Sequence, residues 1–125
     1  MRSAIIGVLL FLGWATAAEA DVMAGGGLHG SIGVRYVVCT LINAGTSAVP
    51  ITSIAIYSDS SAPETPLFNE CVSSLGGHRT CEINADAFAG GRFHCRAVVG
   101  NKTNIRGVLD LRDANGATMS SVEVR

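Results

Sequence analysis

The chain has 125 residues, with nine Lys and Arg against ten Asp and Glu, a formal net charge of −1 and 15% charged residues. A near-neutral chain whose single lysine is Lys102 argues against nucleic acid or an anionic membrane as its partner, since both select clustered cations. It has four cysteines, none in Cys-x-x-Cys spacing, which gives no support to a thioredoxin-like redox site or a zinc knuckle.

The first twenty residues read as a signal peptide. Arg2 supplies the positive charge, and Ala4 to Ala15 (AIIGVLLFLGWA) form an apolar run of twelve residues. That length suits a signal h-region and falls short of the roughly 20 residues needed to span a bilayer. Ala18 and Ala20 then place small residues at both specificity positions of a cleavage site. Cleavage after Ala20 makes Asp21 the first mature residue. No cysteine follows the site directly, so a lipid anchor is not expected. Removing Arg2 and Glu19 takes one charge of each sign, and residues 21–125 suffice for one modest domain. The expected destination is the periplasm or the medium, with no integral membrane segment after cleavage. An even set of cysteines fits that oxidising setting.

Residues 21–33 are rich in glycine and nearly without periodicity, which predicts a flexible lead-in, or at most an edge strand formed late. Val34 to Asn43 (VRYVVCTLIN) is the first clear strand, with Val37, Cys39 and Leu41 on one face and Val34, Tyr36, Val38 and Ile42 on the other. Two apolar faces suit the middle of a sheet. Asn43 to Ser47 is a turn by composition. Val49 to Ser58 is a β-branched strand with Pro50 near its start. Asp59 to Pro66 (DSSAPETP) is a polar loop. Leu67 to Val72 reads as a short strand, Ser73 to Gly77 as a turn, His78 to Ile83 as a strand, and Asn84 to Gly91 as a loop.

Phe93 to Val99 alternates most cleanly. Phe93, Cys95, Ala97 and Val99 fall on one face, His94 and Arg96 on the other with Val98. After a turn at Gly100 to Asn104, Ile105, Gly107, Leu109 and Leu111 alternate with Arg106, Val108, Asp110 and Arg112. Asn115-Gly116 is a strong hairpin signal. A two-residue turn there sets Ala114 opposite Ala117, Leu111 opposite Ser120, Leu109 opposite Val122 and Gly107 opposite Val124. The apolar sides of both strands then share one face. No helical period follows residue 20, so residues 34–125 are expected to form a single antiparallel β-sandwich.

Two segments, Tyr36 to Asn43 (YVVCTLIN) and Phe93 to Gly116 (FHCRAVVGNKTNIRGVLDLRDANG), resemble a diffuse group of small exported bacterial proteins. The resemblance implies an immunoglobulin-like sandwich without an assigned activity. It covers roughly a third of the mature chain and carries over no functional residue. Of three possible disulfide pairings, the expected one joins Cys39 to Cys95 and Cys71 to Cys81. The first two cysteines sit mid-strand on apolar faces and can meet across a core, as in immunoglobulin-type domains. The second two flank a glycine-rich turn.

Candidate chemistry is sparse. His29, His78 and His94 are the ready metal ligands, and Met23 can join them in a soft copper site. No His-x-His or His-x-x-x-His spacing links them, so solvent-facing histidines are the simpler reading. A hydrolase needs a nucleophile beside a base; His78 with Asp86 or Ser74 is the available set, without a Gly-x-Ser-x-Gly elbow. Arg92, Arg96, Arg106 and Arg112 form a basic run in sequence, but Arg106, Asp110, Arg112 and Glu123 are expected to share a mixed-charge wet face. These readings favour an exported, non-catalytic binding or surface-interaction module without a cofactor, its partner a protein or surface ligand. A periplasmic copper- or zinc-handling protein, or a small hydrolase, is the alternative. The Asp59–Pro66 and Asn84–Gly91 loops are the expected contact surface.

Overall fold

The computed structural model describes residues 20–125. The expected signal peptide lies outside the described residues except for Ala20. Nine strands form in chain order: β1 (Asp21–His29), β2 (Val34–Asn43), β3 (Val49–Tyr57), β4 (Phe68–Asn69), β5 (Ser74–Leu75), β6 (Thr80–Asp86), β7 (Arg92–Val99), β8 (Ile105–Asp113) and β9 (Thr118–Val124). They build a four-stranded sheet of order β1-β7-β3-β5 and a five-stranded sheet of order β4-β6-β2-β8-β9. Every pairing is antiparallel. The architecture is a β-sandwich. No helix among the described residues is long and apolar enough to cross a membrane.

The inward faces follow from strand alternation. Val37, Cys39 and Leu41 of β2 are wholly buried, as are Phe93, Cys95, Ala97 and Val99 of β7, and they pack with Leu109, Leu111, Ile56, Met23 and Val124. β2 lies in the middle of its sheet, between β6 and β8, as its two apolar faces require. The Cys39–Cys95 disulfide crosses between the sheets at a Cα separation of 6.2 Å, and Cys71–Cys81 closes a local loop at 5.1 Å. Both expected pairings are present. Two such bridges fit an oxidising, non-cytoplasmic environment.

The segment expected as a flexible lead-in, or at most an edge strand, forms an edge strand: its first nine residues are β1, paired with β7 along one side except at the bulged Gly27. The glycines there answer to space rather than to looseness. A Cβ on Gly25 would lie 2.3 Å from the Glu123 carbonyl oxygen, and one on Gly26 would lie 2.1 Å from the His94 Cβ. Met23 and Leu28 point inward, Met23 being 1% exposed. On its other side β1 exchanges two backbone hydrogen bonds with the chain end, Ala24 with Arg125 in both directions at 2.7 and 3.1 Å. Those bonds stitch the two sheets together along one edge, and a bulge between Gly26 and Leu28 bends the strand there.

Smaller differences have local causes. The strand expected over Leu67–Val72 shrinks to Phe68–Asn69, because Asn69 Oδ1 accepts from the Cys71 amide (2.9 Å) and turns the chain into the disulfide. The expected turn Ser73–Gly77 contains β5, paired with Val49 and Pro50 of β3. β6 starts at Thr80 because His78 has φ 56°, a left-handed conformation that ends extended structure. Asn84 to Asp86 belong to β6 rather than to the following loop. The β8–β9 hairpin keeps the expected partners Leu111–Ser120, Leu109–Val122 and Gly107–Val124. Its turn is one residue longer, since Asp113 Oδ1 accepts from the Asn115 and Ala117 amides, both at 2.9 Å. A bulge after Leu111 then restores the register.

Asn43, at the end of β2, is the buried polar residue of the core, at 0% exposure. Its Nδ2 donates to the Ser47 carbonyl (2.8 Å) and the Leu75 carbonyl (3.0 Å), and its Oδ1 accepts from the Gly45 amide (2.9 Å). One side chain thus fixes the β2–β3 turn and docks β5. Asn43→Leu is expected to cost about 3 kcal/mol, because three backbone groups lose their partner in a buried setting. Urea unfolding measures it. A loss under about 1 kcal/mol would mean that water replaces the side chain.

Candidate functional site

The strand directions divide the loops between two ends. One end carries the Gly30–Gly33 turn, the β3–β4 loop, the β6–β7 loop and the β8–β9 turn. The other carries the β2–β3 turn, the Gly76–Arg79 turn and the Gly100–Asn104 turn.

At the first end two loops are locked backbone to backbone. The Gly30 amide donates to the Gly91 carbonyl (2.8 Å) and the Gly90 amide to the Gly30 carbonyl (2.7 Å). The Ser31–Val34 turn is closed by the Val34 amide on the Ser31 carbonyl at 3.2 Å, with Gly33 at φ 93°. That φ suits glycine and few other residues. Ile32 therefore stands at the apex of a fixed turn, 93% exposed. Phe88 lies on the neighbouring loop, its ring edge-on to buried Phe93 at 5.2 Å and still about half exposed. The β3–β4 loop joins this end through Asp59, whose carboxylate accepts from the Arg92 amide (3.4 Å). Ser58 also hydrogen-bonds Glu64 within that loop. Both loops expected as contact surface thus sit together, but the most exposed apolar side chain, Ile32, belongs to the segment expected to be a flexible lead-in.

The histidines are dispersed. His29 ends β1 and His94 stands on the outer face of β7, stacked on Tyr57 with ring centroids 5.0 Å apart. His78 is exposed at the opposite end, where its amide bonds the Gly45 carbonyl. Met23 is in the core and cannot join them. No group of three His, Cys, Asp or Glu side chains suited to a metal occurs among the described residues. Asp86 ends β6 while His78 precedes its start, so the strand's length, about 20 Å, separates this pair. The His78–Asp86 pair considered from sequence is not assembled.

Two surface features could not be read strand by strand. An open groove of about 740 Å³ runs between Asp21, Met23, Lys102, Ile105, Arg106, Val124 and Arg125. Within it Asp21 accepts from the Lys102 backbone amide (3.0 Å), and Arg125 pairs with Glu123 (2.7 Å). The arginines also divide. Arg106 and Arg112 lie on the five-stranded sheet with Asp110 and Glu123, and Arg112 pairs with Asp110 at 3.2 Å. Arg92 and Arg96 lie on the four-stranded sheet, away from those acids.

A scan against models of protein families finds no match, and searches of curated proteins and of solved structures return none.

Proposed function

We propose that the protein is exported through the signal peptide at residues 1–20, matures at Asp21 and works in the periplasm or the medium as a non-catalytic binding module of immunoglobulin-like type. The two disulfides support the oxidising destination. β1 begins at the residue that cleavage would expose, which supports the maturation site. The inter-sheet Cys39–Cys95 bridge supports the immunoglobulin-like reading.

Ile32 carries the binding reading. A large apolar side chain that is 93% exposed is held at the tip of a hydrogen-bonded turn, beside a loop that presents Phe88. A rigid apolar projection loses little entropy on docking and gains by entering an apolar recess on a protein partner. The Asp59–Pro66 loop supplies a polar rim at the same end.

Ile32→Ser with Phe88→Ser is expected to weaken partner capture at least about 30-fold, as for the loss of one interface hot spot. The melting temperature should change little for the Ile32 substitution alone, since an exposed side chain contributes within about 0.5 kcal/mol. Quantitative co-purification from the native envelope or medium, wild type beside variant, measures this. Equal capture by both proteins would refute the end-loop reading.

A further inference from the structure

The outer face of the four-stranded sheet carries two arginines, Arg92 and Arg96, with a carboxylate, Asp59, at the Arg92 end. β7 runs between β1 and β3, so Arg92, His94, Arg96 and Val98 point outward along its middle. Opposite them on β1 stand His29, Gly26, Ala24 and Val22, and on β3 stand Tyr57, Ala55 and Ser53. None of these paired positions holds Asp or Glu; Asp59, just past the end of β3, accepts from the Arg92 backbone amide (3.4 Å). Among the described residues neither Arg92 nor Arg96 forms an ion pair through its guanidinium. Ala24 and Ala55 on either side leave Arg96 standing above a shallow surface, and Tyr57 braces His94 by stacking.

From this arrangement we infer that the β1-β7-β3 face is a binding site for a linear anionic polysaccharide. Charge complementarity names the sign of the ligand, and size names its shape. Alternate residues on a strand are about 7 Å apart and strands about 4.8 Å apart, so the face measures on the order of 300 Å². A stable protein–protein interface buries about 800 Å² on each partner around an apolar centre, and this face is too small and too polar for that. An extended chain of acidic sugars needs only a narrow strip. Its carboxylates or sulfates can meet Arg92 and Arg96, spaced about 13 Å along one strand, with forked guanidinium hydrogen bonds. Ala24 and Ala55, the small uncharged flanks of Arg96, let the sugar rings approach the sheet there. The row starts at Arg92, beside the Ile32 end, and runs away from it along β7, so Ile32→Ser and the arginine substitutions test the two readings separately.

The test uses the purified, disulfide-intact protein and immobilised polygalacturonate, with neutral dextran and single-stranded DNA as comparison matrices. The wild type should be retained on polygalacturonate at low salt, released as salt rises, and pass through dextran. Arg92→Gln with Arg96→Gln should weaken retention roughly tenfold, whereas Arg106→Gln on the other sheet should leave it unchanged. If the double variant folds poorly, amide shifts of the wild type titrated with soluble oligogalacturonate locate the contact. They should cluster on residues 22–29, 53–57 and 92–98. The inference is overturned by equal retention of the double variant, by equal loss in Arg106→Gln, by shifts clustering elsewhere, by tighter binding to DNA, or by no retention of the wild type.

Discussion

Replacing Leu109 with aspartate is expected to cost at least about 4 kcal/mol, a large share of the 5–15 kcal/mol that holds a domain of this size. Leu109 is wholly buried in β8, between Cys39 of β2 and Val122 of β9. The change removes a core side chain, itself worth about 2–5 kcal/mol, and sets a carboxylate where no partner awaits it. Arg112→Ala, three residues along the same strand, is the control. Arg112 points to the other face and is less open than its expected solvent position, with 28% of its side chain exposed and Asp110 at 3.2 Å. Its loss should cost about 1 kcal/mol. At about 4–8 °C per kcal/mol the two variants should melt at least 12 °C apart. Thermal unfolding followed by circular dichroism measures the difference. Coincident melting curves would show that the inner and outer faces of β8 have been exchanged.

The strands legible in the sequence are those with three or more alternating apolar side chains. β2, β7 and β8 meet that condition; β9 offers only Val122 and Val124, and its Leu109–Val122 register was readable because only one pairing puts both apolar sides inward. β1 fails it for a physical reason. Gly25 occupies an inward position where the Glu123 carbonyl leaves no room for a Cβ, and a bulge shifts the next inward residue to Leu28. A position that must be empty is silent in a hydrophobic pattern. β5 is silent for another reason. A two-residue strand has no period, and its docking is imposed from outside by Asn43.

The surface was legible one strand at a time and no further. Alternation sends His94 and Arg96 outward, but it cannot say which strands flank β7. Four arginines that form one run in sequence are separated by the sheet order, because β7 and β8 are consecutive in the chain yet belong to different sheets. One pair meets Asp110 and Glu123; the other stands between β1 and β3, with Asp59 at the Arg92 end of the face. Ile32 carried a weak signal in the Ser31-Ile32-Gly33 turn, which went unread because the surrounding glycines suggested looseness. Topology also sets His78 apart at the opposite end, while His29 and His94 share the outer face of the four-stranded sheet.

Removing the Cys39–Cys95 bridge as a double alanine variant is expected to lower stability by about 4 kcal/mol, against about 3 kcal/mol for the Cys71–Cys81 pair. Loop entropy gives the order, because the bridges span 56 and 10 residues of sequence. Position strengthens it. Cys39 and Cys95 are both wholly buried and belong to opposite sheets, so their sulfurs fill the centre of the core as well as tie it. Cys71 and Cys81 pin an edge beside the two-residue strands, where partial opening leaves the central strands paired. Urea unfolding of both variants and the wild type measures the free energies and the slopes. The Cys39–Cys95 variant should also show a steeper dependence on urea, because its unfolded chain exposes more surface once the long loop is released. If the Cys71–Cys81 variant proved the less stable, the short edge strands and the Asn43 dock would be what holds the sheets face to face. The central bridge would then act only on the unfolded chain.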